Sequence, residues 1–134
     1  ALHTAALSGV DVRLLLSTKS DSVIVKLCVR SYFQRFLHSG VRIFLYPEGF
    51  LHSKIITVDD RICTIGTAKV DDRSFQHNYE VNAVVYEKNT AIRLREYFER
   101  DCNKSLELNY QDFSQRPWTQ RLAEGAARLV SPLL

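Results

Sequence analysis

The 134-residue sequence predicts an α/β domain in which a central mixed β-sheet is flanked by helices. Segments with helical periodicity interleave with short β-rich segments in the order α-β-α-β-β-β-β-α-α. An apolar content of 46% suits one packed core, and no apolar run reaches the ~18 residues of a transmembrane helix. We therefore expect a single domain over residues 1–134, with a helical tail from about residue 111.

The first third of the chain is predicted to hold two helices and two strands. Leu2–Leu7 reads as the end of a helix, and residues 10–16 alternate as a strand does. Apolar side chains recur near a 3.6-residue spacing over 23–37, which predicts a helix that stops at Gly40. Residues 41–46 form a short apolar run, which is typical of a buried strand.

A β-hairpin and a further strand are predicted in the middle of the chain. Residues 53–58 and 62–65 are β-rich, and the acidic residues between them suit a tight turn. Residues 79–86 are predicted to form the last strand.

Two helices are predicted to follow. The first runs to Cys102 from a cap at Asn89 or Thr90, and its inward face holds Leu94, Tyr97, Phe98 and Cys102. The second starts near Pro117, and its apolar face holds Trp118, Leu122, Ala126 and Leu129. This tail could lie on a membrane surface. Because its charges at positions 121, 124 and 128 sum to only +1, we expect it to pack against its own domain.

Charge and cysteine content exclude several classes of protein. A net charge of +3 fits a phosphate-bearing ligand but lacks the dense basic stripe of a nucleic-acid binder, so nucleic acid is an unlikely partner. The three cysteines, Cys28, Cys63 and Cys102, form no CxxC or Cys/His cluster, so no metal site is expected. We interpret them as free buried thiols of a reducing compartment.

The residues that indicate chemistry begin with His52, Lys54 and Asp59. On a strand, positions 52 and 54 share a face, so an imidazole and an ammonium converge. That pair suits a phosphodiester, since the lysine neutralises oxygens while the histidine attacks phosphorus or moves a proton. Ile56 and Val58 are expected to continue this face into the core.

Three further residues are candidates for the same site. Thr67 and Lys69 follow Gly66 in a loop and bring a hydroxyl and a cation, a recurring arrangement around phosphate. Glu80, at the start of the last strand, is a candidate acceptor for the second ring nitrogen of His52.

These residues resemble a known family. H-x-K-x(4)-D-x(6)-G-[ST] is the signature of the phospholipase D superfamily. The likeness extends over residues 49–54, 66–68, 71–75 and 78–82 and reaches both ends of the chain, where it resembles the second half of bacterial cardiolipin synthases. The resemblance implies a layered phospholipase D-type α/β domain that needs neither metal nor cofactor.

The resemblance also implies a role for each candidate. His52 would be the nucleophile that forms a phosphohistidine, or its general acid-base partner, and Lys54 would bind phosphate oxygens. Asp59 would mainly support the motif, Thr67 would contact phosphate, and Glu80 would orient His52.

Two departures from the family pattern stand out. Lys69 occupies the position where the family has asparagine, so either the lysine takes over phosphate binding or activity is weakened. The chain also has one motif where the family needs two. The second would come from a missing N-terminal half or from a homodimer mate.

The resemblance implies half of a phosphatidyltransferase, a cardiolipin synthase, which condenses two phosphatidylglycerol molecules to cardiolipin and glycerol. The full-length protein would then act at the bacterial cytoplasmic membrane surface, whereas this fragment would be soluble. One alternative is a single-motif phosphodiesterase or nuclease that is active as a homodimer. Another is a truncated, non-catalytic domain that at most binds phosphate.

Overall fold

The computed structural model describes residues 1–19, 22–47, 49, 51–67 and 79–129. Within these ranges the chain forms six strands and five helices. In chain order they are α1 (Leu2–Leu7), β1 (Arg13–Ser17), α2 (Val23–His38), β2 (Arg42–Tyr46), β3 (Lys54–Val58), β4 (Ile62–Gly66), β5 (Asn82–Val85), α3 (Lys88–Asn103), β6 (Leu106–Glu107), α4 (Tyr110–Ser114) and α5 (Trp118–Leu129). None of the helices in these ranges is both long and apolar enough to cross a bilayer.

The main core lies under a mixed sheet with the order β1-β2-β6. β1 pairs in parallel with β2, and β6 pairs antiparallel with the other edge of β2. Side chains from this sheet and the adjoining segments meet α2 and α4 in one buried cluster of Val12, Phe33, Val41, Ile43 and Phe113. Burial of these apolar groups, each contributing about 1.5–3 kcal/mol when fully covered, holds the domain together.

The hairpin strands form a second sheet, with the order β3-β4-β5 and antiparallel pairing throughout. The α/β class with helix-flanked sheets is thereby confirmed, but the strands of the described ranges lie in two sheets and not in the one central sheet that was expected. β2 has no free edge for the hairpin, because β1 occupies one side and β6 the other. The two-residue strand β6 is too short to show a period in the sequence, so the prediction missed it.

Helix α3 begins earlier than predicted. Its N-cap is Glu87, whose carboxylate accepts from the backbone N–H groups of Asn89 and Thr90. The two residues proposed as caps are therefore the ones being capped. Of its predicted inward face, Cys102 is buried, whereas Tyr97 is about half exposed.

Helix α5 packs on α2, as expected of a tail that covers its own domain, but through a different face. The buried residues are Glu124 and Ala127, and the predicted apolar face points to solvent. The cause is electrostatic. The Glu124 carboxylate accepts from Arg30 at 3.2 Å and from Arg116 at 2.8 Å, so this acid turns inward between two guanidinium groups.

The end of β4 requires a glycine. An alanine Cβ at Gly66 would lie 1.8 Å from Asn82 Oδ1 and 2.4 Å from the carbonyl oxygen of Val81. The first of these atoms belongs to a side chain, but the second is backbone, so β5 would have to shift. Gly66 thus permits the close approach of β5 at the end of the sheet next to Lys54, its partner on β3.

Gly66→Ala should lower the free energy of unfolding by about 2 kcal/mol, because the added methyl group forces the strands apart. Urea denaturation followed by circular dichroism measures this. The matched control is Gly125→Ala, where a Cβ meets nothing within 4 Å on helix α5. There the better helix propensity should stabilise the protein by up to about 1 kcal/mol. A neutral result at Gly66 would contradict the packing described.

Glu124→Ala should destabilise the protein by about 3 kcal/mol or more, because it leaves the largely buried guanidinium of Arg116 without its carboxylate. The same urea measurement applies. The control is Glu96→Ala, an exposed acid on α3, which should change stability by less than about 0.5 kcal/mol. Equal effects at the two positions would show that the buried ion pairs do not anchor α5.

Candidate active site

His52 and Lys54 meet at the start of β3. The Nζ atom of Lys54 lies 2.9 Å from Nε2 of His52 and also donates to the His52 carbonyl oxygen at 2.7 Å. The two side chains meet as the sequence predicted, although His52 lies two residues before the first residue of β3. His52 is exposed and Lys54 half-buried, so a ligand can reach both groups.

The contact assigns the protonation pattern of the imidazole. An ammonium group can only donate a hydrogen bond, so Nε2 of His52 must accept, and the ring proton of the neutral form lies on Nδ1. The Nε2 lone pair is the nucleophilic centre of such a ring. It therefore lies beside the cation that would attract a phosphate oxygen.

Thr67 and Glu80 come together beside this pair. The Thr67 hydroxyl donates to the Glu80 carboxylate at 2.5 Å and accepts from the backbone N–H of Val81 at 3.0 Å. The backbone N–H of Thr67 donates to the Val81 carbonyl oxygen. Both donors of Thr67 are thus engaged, and its hydroxyl holds Glu80 in place. The roles predicted for Thr67 on phosphate and for Glu80 on His52 stay predictions.

A shallow cleft of about 380 Å³ opens at this end of the hairpin. It is lined by His52, Ser53, Lys54, Ile55, Ile65, Gly66 and Thr67. Lys54 on β3, Gly66 on β4 and Asn82 on β5 are partners across the three strands here. The Asn82 side chain lies over Gly66. Asn82 was not among the predicted site residues. The sequence signals were its place two residues after Glu80, which gives the same face of a strand, and its position in the segment 78–82 that resembles the family.

Asp59 does not lie beside His52. It occupies the hairpin turn with Asp60, and both have positive φ angles, 48° and 54°, which aspartate tolerates better than most residues. At about 3.3 Å per strand residue, Asp59 is about 16 Å from Lys54. Of the predicted trio, only His52 and Lys54 come together. Asp59 therefore lies in the turn, and its supporting role in the site stays a prediction.

The turn is tied to helix α3 through the residue next to Asp59. Asp60 accepts from Arg95 at 2.5 Å, and Arg95 also pairs with Glu99 one turn further along the helix. This anchor was missed in the sequence, because an isolated turn aspartate gives no signal of a distant partner. Lys69 lies outside the described residues, and its phosphate role stays a prediction.

The sheet face that carries His52 and Lys54 is open. Ile56 and Val58 on β3 and Val84 on β5 share this face and are each about half exposed. The prediction that Ile56 and Val58 continue into the core was wrong. Helix α3 covers the opposite face instead, where Cys63 is fully buried. We call Ile56, Val58 and Val84 the apolar strip.

A second cleft, of about 350 Å³, lies where the parallel strands β1 and β2 begin, with Arg13 and Arg42 as neighbours. Both arginines are already paired, with Asp11 and with Glu107, and each pairing lowers the pKa of the carboxyl. Burial raises the pKa of the neighbouring Cys102 thiol to about 11, so this thiol is unreactive at neutral pH.

The prediction of free buried thiols is confirmed, since all three cysteines are buried and unpaired by disulfides. Within the described ranges, no three His, Cys, Asp or Glu side chains converge as metal ligands would. The candidate site in this part of the chain remains the His52–Lys54 pair in its cleft.

Known proteins resemble the chain in sequence. The family model described as "Cardiolipin synthase, PLD-like domain" matches residues 1–102. The cardiolipin synthase of Geobacillus kaustophilus is 48% identical over 134 residues, which cover 100% of this chain and 27% of that protein. Cardiolipin synthase 1 of Bacillus anthracis is 45% identical over 133 residues, covering 99% of this chain and 26% of that protein. The chain thus spans about a quarter of the length of these relatives.

A solved structure shares the fold. The phospholipase D family member Nuc from Salmonella typhimurium aligns with a TM-score of 0.68 at 18% identity, covering 80% of this chain and 70% of that chain. This likeness confirms the phospholipase D-type fold. Together with the family match over residues 1–102, it shows that the chain belongs to the cardiolipin synthase, phospholipase D-like domain family.

Proposed function

We propose that this chain, a single domain over residues 1–134, is one catalytic half of a cardiolipin synthase. The whole enzyme would condense two phosphatidylglycerol molecules to cardiolipin and glycerol at the bacterial cytoplasmic membrane. The observation that carries the proposal is the contact between Lys54 Nζ and His52 Nε2 in an open cleft. The names and 45–48% identity of the relatives support the choice of lipid.

The first chemical step uses the lone pair on Nε2. A phosphodiester oxygen replaces Nε2 as the acceptor from Lys54, which brings phosphorus within reach of the ring. Nε2 attacks phosphorus, the bond to the glycerol oxygen breaks, and the second histidine of the enzyme gives that oxygen its proton. The product is a phosphohistidine, either on His52 or on its counterpart, with His52 then serving as the acid.

The second step reverses the proton movement. The histidine that gave up its proton takes one from a hydroxyl of the second phosphatidylglycerol. The resulting oxygen attacks the phosphorus and releases Nε2, so protons and bonds balance over the cycle. No metal or cofactor takes part in this scheme.

The remaining site residues support these steps. In the phosphohistidine the ring is cationic and keeps its proton on Nδ1, so a carboxylate at Nδ1 would stabilise it. We assign this role to Glu80, which Thr67 holds through its hydroxyl. Thr67 would contact phosphate only by turning that hydroxyl away from Glu80. Lys69 is proposed as a second cation on the phosphate oxygens.

The open sheet face supports pairing with a second half. The apolar strip, Ile56, Val58 and Val84, lies on the sheet face that also carries Lys54. We call His52 and Lys54 the reactive pair. Covering the apolar strip would remove apolar surface from water and bring a second His-Lys pair towards the first. About three quarters of the relatives' length lies outside the matched region, so a second half from the same polypeptide is the proposed cover. A homodimer mate, in a single-motif phosphodiesterase, is the alternative.

His52→Ala in the full-length protein that contains this chain should abolish cardiolipin formation from phosphatidylglycerol vesicles, with a loss of about a thousandfold or more. Thin-layer chromatography of labelled lipid measures it. The matched control is His3→Ala, which removes a histidine from α1 and should leave the rate unchanged. An unchanged rate in His52→Ala would contradict the assignment, and a full-length wild-type protein with no phosphodiesterase activity would support the non-catalytic alternative.

Lys69→Asn should lower turnover about tenfold or more, because it removes one of the two cations proposed for the phosphate. The same lipid assay measures it. The charge-preserving change Lys69→Arg should retain more activity than Lys69→Asn. A rise in turnover on Lys69→Asn would instead show that lysine impairs a site that asparagine serves better.

A further inference from the structure

The outward face of helix α5 is strongly apolar. Trp118 is 72% exposed, Leu122 65% and Leu129 84%. At 100° per residue these three positions fall within about 40° of one another around the helix, so they form one continuous stripe. We call Trp118, Leu122 and Leu129 the outer stripe.

The outer stripe is not explained by the packing of α5 on its own domain. That packing uses Glu124 and Ala127, which lie well away from the stripe on the helix surface. Burying Glu124 required two arginine partners, Arg30 and Arg116, while three large apolar side chains stayed in water. An exposed patch of this kind, rimmed by charge, marks an interaction surface.

The charges beside the outer stripe are positive. Arg121 and Arg128 are exposed and are seven residues apart, so they line the same side of the helix. Arg128 also lies with its guanidinium carbon 4.8 Å from the ring centre of Tyr32. The sequence sum of +1 for this helix counts Glu124, but that carboxylate is buried and paired. The charges that α5 presents to solvent are therefore the two arginines.

We propose that the outer stripe, with Arg121 and Arg128, docks on the surface of an anionic lipid bilayer. A tryptophan and two leucines with a flanking basic edge match the requirements of a helix that lies in the interface plane. The arginines would pair with lipid phosphates, which complements their charge. This inference rests on the proposed function, in which the substrate is an anionic lipid that the enzyme meets within a membrane.

The single tryptophan makes the proposal directly measurable, because all tryptophan fluorescence comes from position 118. The 134-residue chain is titrated with vesicles of equal parts phosphatidylglycerol and phosphatidylcholine. The emission of Trp118 should shift to shorter wavelength, and lipids with brominated acyl chains should quench it. Vesicles of phosphatidylcholine alone should bind roughly 30-fold more weakly, since two arginines lose their partners.

Matched variants test whether vesicle binding depends on the outer stripe or on exposed apolar residues in general. Leu122→Gln combined with Leu129→Gln should weaken vesicle binding at least about tenfold. The control is Leu7→Gln, because Leu7 on α1 is 64% exposed, almost the same as Leu122, and should leave binding unchanged. Arg121→Gln with Arg128→Gln should remove the preference for anionic vesicles, whereas Arg93→Gln on α3 should not. Circular dichroism confirms that each variant is folded.

Several outcomes would overturn the proposal. One is that adding vesicles leaves the emission of Trp118 unchanged. Another is that the variant with both Leu122→Gln and Leu129→Gln binds vesicles as tightly as the unchanged chain does. A lipid-free shift that grows with protein concentration would make a second copy the occupant of the stripe. A shift on adding the rest of the full-length polypeptide, again without lipid, would make that polypeptide the occupant.

Failure of this inference can be told apart from failure of the proposed function. The His52→Ala chain should bind vesicles as the unchanged chain does, because docking does not use the reactive pair. Loss of vesicle binding with intact lipid transfer in the full-length protein would overturn the docking surface alone. Intact vesicle binding without lipid transfer would overturn the proposed function alone.

Discussion

The contact between the Lys54 ammonium and Nε2 of His52 is the interaction on which the proposed chemistry of this domain depends. It joins Lys54, the first residue of β3, to His52, which lies two residues before that strand. That strand is held by pairing with β4, by the close fit of Gly66 against β5, and by the tie from Asp60 to Arg95 on helix α3. The fold therefore places a cation and a ring nitrogen at one point.

In the part of the chain that the structure describes, two apolar surfaces are uncovered for different reasons. The apolar strip beside the reactive pair is open because α3 packs on the other face of the hairpin sheet. The outer stripe of α5 is open because Glu124 directs the opposite side of that helix towards α2. The first is the proposed contact for a second catalytic half, and the second is the proposed contact for a lipid surface. Both fit a domain that spans about 27% of its relatives' length.

The sequence predicted the class of fold and the central pair because those depend on local periodicity and residue type. His52 and Lys54 needed only strand alternation to be placed together. The prediction failed where distant partners decide the outcome. The sequence around Glu124 does not predict that Arg30, 94 positions away, will pair with its carboxylate in the buried state. In the same way, the two-residue strand β6 and the capping by Glu87 depend on neighbours that periodicity does not reveal.

The central claim is that Lys54 donates a hydrogen bond to Nε2 of His52, so that the ring proton of the neutral form lies on Nδ1. Two-bond ¹H–¹⁵N correlation spectra of the ¹⁵N-labelled chain, recorded where the ring is neutral, measure this tautomer directly. The account predicts the Nδ1–H form for His52, and a shift towards the Nε2–H form, which is the commoner one in solution, in Lys54→Ala. An Nε2–H tautomer of His52 in the unchanged chain would contradict it. The same tautomer in the unchanged chain and in Lys54→Ala would also contradict it.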